Sequence, residues 1–413
     1  MKSFFCFLGG ILLVACSSSN QIGKAYRGWH EGEMDLHHIY TGRGESNFMI
    51  FPDGTSMLVD AGDYDPKDYP LMTVALPNSR RRAGEWIARY IERVNPMKNH
   101  VDYMMISHFH SDHMGDSINA APYTKGRIPN YVLTGIAEVA EYVDFSEAID
   151  RGFPNYNYPY PIHDRDFNNY INFIKWKARN GLKCEQFVVG SRKQIRLKYK
   201  AQKYDFHIEN LASNGEVLLG NERVRCYDLN PKNTDGTLSP NENTNSIAIK
   251  VCYGPFAYYT GGDLSGRLYD ASNRLFELDS LVALTCGKVD VCKANHHAYR
   301  DAMSAGFIAD IRARNYIIPV WDYAHIQPAV LSRMDSRLLY PGDRNIFPTE
   351  LPEKLANKYA NESWMKDVCK YGGHVVVKVY DKGKKYLVYV LSAKDESMIV
   401  RAVYGPFKSN SNR

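Results

Sequence analysis

Residues 106–116 read "ISHFHSDHMGD" and close the apolar run "VDYMMI". The run predicts a short strand buried on both faces. The polar cluster therefore begins where a strand gives way to a loop, the place where α/β folds put their chemistry. In extended backbone, residues two apart share a face, so His108, His110 and Asp112 can point together. A turn after Asp112 brings His113 round as well. Imidazole nitrogens and carboxylate oxygens are the ordinary ligands of Zn2+. Two such groups serve one ion, and four at this density can begin two sites.

Elements on either side carry their own signals. "FMIF" and "SMLVDAG" read as strands joined by the turn "PDG". "GEWIARYIERVNP" (84–96) spaces Ile87, Tyr90, Ile91 and Val94 as a helix does and stops at Pro96. "DFNNYINFIKWKARNG" (166–181) reads as a second helix, capped by Asp or Asn and ended by Gly. "NSIAIKVCYGPFAYYTGGDL" (245–264) predicts a hairpin turning near "YGP". "VDVCKANHHAY" (289–299) and "NYIIPVWDYAH" (315–325) each predict a strand running into a loop. The tail at 374–407 alternates and turns at "DKGK" and "AKDES", which predicts three short antiparallel strands appended to the core.

The middle, 120–240, has no repeats. It holds the Pro/Tyr/Asn loop "FPNYNYPYPIHD" (153–164) and the run "RKQIRLKYKAQK" (192–203), with six basic residues and no acidic one. Over a site, aromatic and cationic groups suit a phosphate ester or single-stranded nucleic acid. The plainer reading makes the basic run the solvated face of a strand.

The chain's 413 residues, 44% hydrophobic and 23% charged, have ordinary globular composition. Thirty tyrosines suit clefts and half-exposed surfaces, since each joins an apolar body to a polar tip. "MKSFFCFLGGILLVAC" reads as a signal peptide over residues 1–15. "LVAC" resembles a bacterial lipobox, which implies cleavage before Cys16, a lipid on its thiol and a tether over 16–32. Loss of 1–15 removes only Lys2 and takes the formal charge from +5 to +4, too mild to argue for nucleic acid. The remaining cysteines at 184, 226, 252, 286, 292 and 369 form no C-x-x-C pair, so a thiolate zinc knuckle is not expected.

"HFHSDH" resembles the metal-binding signature of metallo-β-lactamase-fold hydrolases. "LVDAG" (58–62), "YYTGGDL" (258–264) and "KANHHAY" (293–299) resemble that family's other motifs, in order, over about residues 33–345. "GRGESNFMIFPDGTSMLVDAG", "NTNSIAI", "YTGGDL" and the double histidine look closest to the hydrolase domain of bacterial DNA-uptake (competence) channel proteins and their stand-alone relatives. "AHIQP" (324–328) resembles a late loop of the same relatives.

The resemblance implies a four-layer αββα sandwich with two divalent ions at one edge, Zn2+ first, Mn2+ or Fe as alternatives. His108 and His110 would hold the first ion and Asp112 and His113 the second. Asp263 would bridge them, and His297 would complete the second set. His296 would face the substrate or leaving group, and Asp60 would accept a proton from a ligand imidazole. Many relatives carry a further histidine where this chain has Asn243 and Asn245. His163 and His207 are the only histidines in the intervening stretch, and each reads as a surface residue.

Two such ions bring a shared water toward ionisation and stabilise charge on the attacked group. The function expected is a binuclear hydrolase acting through a metal-bound hydroxide, with Asp112 and His296 in the chemistry. Its substrate would be a phosphodiester, small or oligonucleotide, at the periplasmic face or cell surface. The alternatives are a lipid-anchored binding protein that keeps the fold without catalysis, or a hydrolase of lactones or β-lactams. The expected organisation is a hydrolase domain at 33–345, with an insertion or lid at 120–240, then a β extension at 346–413.

Overall fold

A parallel pair of strands needs a crossover, whereas an antiparallel pair needs only a turn. This chain uses both devices twice. The structure, a computed structural model, describes residues 21–65, 71–118, 130–226, 241–269 and 275–411. The expected signal peptide (1–15) and Cys16 lie outside those residues.

β1 (Met34–His38), β2 (Asn47–Ile50) and β3 (Ser56–Val59) run antiparallel. β4 (His100–Met105), β5 (Asp144–Asp150) and β6 (Lys183–Gln186) then add to β3 in parallel. The second sheet repeats the plan. β7 (Phe206–Ser213), with β8 (Glu216–Leu219) and β9 (Glu222–Arg225) folded back on it, lies antiparallel to β10 (Ala248–Tyr253). β10 pairs antiparallel with β11 (Phe256–Thr260), through the turn read at "YGP". After a small ribbon of β12 (Leu268–Tyr269) and β13 (Leu275–Phe276) come β14 (Val291–Lys293), β15 (Asn315–Ile318) and β16 (Asn345–Pro348), which add to β11 in parallel.

Helices fill the crossovers. α1 (Ala83–Val94), α2 (Ser111–Met114), α3 (Gly135–Tyr142) and α4 (Arg165–Arg179) belong to the first sheet's parallel half. α5 (Leu278–Cys286), α6 (Ala305–Ile311) and α7 (Pro328–Asp335) belong to the second's. α1 and α4 lie where the apolar spacing and caps predicted them, and Asp164 accepts from the Phe167 N–H to start α4.

Three apolar cores separate four layers. Between the sheets, Met49, Met57 and Tyr103 meet Ile249, Tyr258 and Val291. Outside the first sheet, Met104 and Ile106 pack on Ile87, Ile91 and Phe173. Outside the second, Cys252 and Tyr259 pack on Val282, Phe307 and Leu331. β4 thus buries Tyr103 inward and Met104 outward, as a two-faced strand must. The architecture is α/β, a four-layer αββα sandwich.

Two boundaries differ from expectation. The described part of the 120–240 stretch is woven into the sheets, supplying β5 and β6 to one and β7 to β9 to the other. The tail strands β17 (His374–Tyr380), β18 (Lys385–Leu391) and β19 (Val400–Lys408) are antiparallel as read, yet β17 lies directly against β1. Val375, Val377 and Val379 fill the core between the sheets, and β16 straddles the expected seam at 345/346. Residues of the expected tether also dock, since Gly23 and Tyr26 donate their N–H groups to Val400 and Met398 carbonyls.

The basic run is irregular rather than a strand. Ile195 and Leu197 bury, while Arg192, Lys198 and Lys200 pair with Glu209, Glu147 and Glu31. The six described cysteines are free thiols, four of them buried. Among the described residues no helix is long and apolar enough to cross a membrane.

Candidate metal centre

The chemistry-bearing residues gather where parallel strands end. Asp60 follows β3, Ser107 to His113 follow β4, Asp263 follows β11, and His296 and His297 follow β14. Two backbone devices hold them. Gly62 lies so close to the Asp112 carbonyl that a Cβ there would sit 1.8 Å from its oxygen. His296, His297 and Ala298 are consecutive left-handed residues, with φ of 45°, 50° and 58°. That conformation costs a non-glycine residue of order 1 kcal/mol or more, and such outliers concentrate at functional sites.

Asp112, His113, Asp263 and His297 converge. His113 Nε2 lies 3.3 Å from Asp112 Oδ2 and 3.2 Å from Asp263 Oδ1. His297 Nε2 lies 3.1 Å from Asp112 Oδ2 and 3.4 Å from Asp263 Oδ2. Both histidines have their other nitrogen committed. Nδ1 of His297 donates to the Pro319 carbonyl at 2.9 Å, and Nδ1 of His113 meets Asp60 Oδ2 at 2.8 Å. Each Nε2 lone pair is thereby turned to the centre, the arrangement metal-bound imidazoles use. Asp60 is held in turn by the N–H and Oγ–H of Ser107, both at 2.7 Å.

His108 and His110 stand beside this group. Their Nε2 and Nδ1 atoms are 3.1 Å apart, and His108 Nε2 is 3.9 Å from Asp263 Oδ2. His296 is partly exposed on the cavity wall, its Nε2 3.7 Å from Asp263 and its Nδ1 2.7 Å from Asp301. Asn245 does not line the cavity. Its amide donates to Tyr160 at 2.7 Å and to Glu242 at 3.1 Å, while Asn243 reaches to 3.4 Å from His296. Glu242 also accepts from the Phe109 N–H and holds buried Arg151 in a two-pronged pair, which fixes the turn between His108 and His110. His163 borders the cavity, whereas His207 pairs with Glu209 on β7.

The donor set fits a cation. His113 Nε2 and Asp263 Oδ1 are fully buried and make no hydrogen bond, a costly state for polar atoms unless something else engages them. Burial opposes charging His113, but Asp263, Asp112 and Asp60 carry its pKa well above the usual imidazole range. Burial likewise opposes His297, and Asp263 and Asp112 bring it up to about 9. Asp112 and Asp263 stay well below the carboxylate range despite burial, held there chiefly by His113. His108 is pushed far down by burial and by its neighbours His113 and His110, so it is neutral and able to ligate.

Four residues here went unassigned in the sequence reading. Glu45 joins His113, Asp263 and His297 in a buried cluster compact enough to hold a metal ion. Its Oε2 is also 2.7 Å from the buried Lys293 ammonium, so Glu45 already has a cation and Asp112 is the better fourth ligand. His325 stacks on His297 with centroids 4.5 Å apart and planes 8° apart. Trp321 Nε1 donates toward His297 Nε2 at 3.3 Å. Lys293 and His325 sit inside "KANHHAY" and "AHIQP", but neither motif shows by itself what they touch.

An open cavity of about 720 Å3 leads to the cluster. Its walls include Tyr160 to Asp164 of the Tyr/Pro loop, together with Tyr64, Tyr299 and Trp321.

No family model and no curated protein matches this chain. Solved structures with related backbones exist. A variant of the CmlA β-hydroxylase gives a TM-score of 0.38 at 10% identity over 76% of this chain and 52% of its own. The chain thus spans about half the length of that protein. Zn2+-bound PqqB from Methylobacterium extorquens gives 0.34 at 9% identity over 83% of this chain and 99% of its own. A diphosphatase from the PhnP family gives 0.31 at 9% identity over 84% and 98%. The four layers described above stand on the chain's own strand order.

Proposed function

We propose that the protein is a metal-dependent hydrolase acting on a phosphodiester. One observation carries the reading. Asp112, His113, Asp263 and His297 converge from three strand ends at the floor of an open cavity, with His113 Nε2 and Asp263 Oδ1 buried and making no hydrogen bond. Asp112, His113, Asp263 and His297 would hold one divalent ion, and His108, His110 and Asp263 a second, with Zn2+ the first candidate. When bound, such ions acidify a water and withdraw charge from the attacked group.

The chain's own residues supply the rest. Asp60 and Pro319 fix the tautomers of His113 and His297. Glu242 and Arg151 hold the His108–His110 turn. His296 faces the cavity beside Asn243 and Asp263, where its ring would contact a substrate oxygen. The phosphodiester rests on the likeness of the motifs to the competence-type relatives.

Asp263→Ala removes the one residue shared by both sets. Metal analysis of protein purified without chelator should fall from about two ions per chain to fewer than one, and hydrolysis of bis(4-nitrophenyl) phosphate should vanish. Full turnover by this variant would sink the mechanism. We place the enzyme at the bacterial cell envelope, held by a lipid on Cys16. Metabolic labelling with a palmitate analogue should then tag the protein and be lost in Cys16→Ala. An unlabelled wild type would remove the anchor from the reading.

A further inference from the structure

The cavity's walls say more about the substrate than its floor does. Tyr64 and Trp321 stack, with centroids 5.4 Å apart and planes 13° apart, and both face the cavity. Tyr299 and Ile162 extend the apolar surface. Asp164 and Asp322 also line it, and among the described lining residues there is no lysine or arginine. Arg300 lies over the ring of Tyr299 but is not part of the lining. The basic run at 192–203 has Arg192, Lys198, Lys200 and Lys203 paired with glutamates and contributes nothing to the cavity.

Nucleic acid binds through phosphates, so its sites track the backbone with Lys and Arg. A wall of aromatic rings, carboxylates and imidazoles, with no Lys or Arg among its described residues, offers a polyanion no such track and stacks on a planar organic group. The volume, about 720 Å3, falls in the range of small-molecule pockets.

We infer that this cavity takes a compact, singly charged phosphodiester carrying an aromatic group, seated on the Tyr64–Trp321 wall, and excludes nucleic-acid chains. The inference rests on the hydrolase reading for the position of the ester, but the wall's preference for its occupant can be measured without turnover.

The test uses full-length protein loaded with Zn2+. Binding of methyl 4-nitrophenyl phosphate, dimethyl phosphate and a short oligothymidylate is followed by calorimetry, and hydrolysis of each in parallel. The aryl ester should bind about three- to tenfold more tightly than dimethyl phosphate, the range expected for one aromatic stack. Tyr64→Ala should bring that ratio close to one, and Tyr64→Phe, which keeps the ring, should preserve it. The oligothymidylate should neither bind nor be cleaved. Tight binding or cleavage of the oligothymidylate, or an unchanged ratio in Tyr64→Ala, would overturn the inference while leaving the hydrolase intact. The expected binding pattern with no hydrolysis of any ester would uphold the occupant and sink the hydrolase.

Discussion

Asp60 shows how much one side chain can settle. It adopts φ 63°, a left-handed conformation rare outside glycine and asparagine, and from there reaches Ser107 and His113 at once. Asp60→Asn separates the two features, since asparagine tolerates the backbone but cannot hold His113 in the same tautomer. Zn2+ affinity, measured by competition with a chromophoric chelator, should drop about 10- to 100-fold while the protein stays folded. Unchanged affinity would reduce Asp60 to a backbone brace. The cluster of candidate donors was legible because His108, His110, Asp112 and His113 sit in one contiguous motif. Glu45, Lys293 and His325 were not, because what makes them important is which strand end faces them. The side chain of Asn245 turns to Tyr160 and Glu242, which the spacing of "NENTNS" does not reveal.

Between elements, the packing of α1 on α3 has a defect with a measurable signature. Glu138 of α3 is buried, its Oε2 has no partner, and burial with the nearby Asp63 pushes its pKa up to about 8. A carboxyl raised above its unfolded value near 4.3 leaves stability whole below that pH and erodes it as pH climbs toward 8. At pH 7 the cost is on the order of 3 kcal/mol. Glu138→Gln should therefore raise the melting temperature at pH 8 and leave it almost unchanged at pH 4, as read by calorimetry. An equal gain at both pH values would show that charge is not the cause. Helices with a clean apolar face, such as α1 and α4, could be read from the chain. β6 ("KCEQ") and β9 ("ERVR") could not, because short polar edge strands carry no alternation to detect.

At the scale of the molecule, the middle and the tail belong to the sheets rather than hanging from them. Local alternation revealed the tail strands but not their place, since pairing β17 with β1 joins opposite ends of the chain. Removing residues 374–411 strips β1 of a neighbour and deletes Val375, Val377 and Val379 from between the sheets. The shortened protein should lose cooperative unfolding and its near-ultraviolet circular dichroism; retention of both would return the tail to the status of an appendage. The same pairing sets an order of events during synthesis. β1 leaves the ribosome long before β17, so one strand edge stays raw while every element between them is made. A sheet built this way closes only once β17 has been made, and until then the β1 edge stands open to capture.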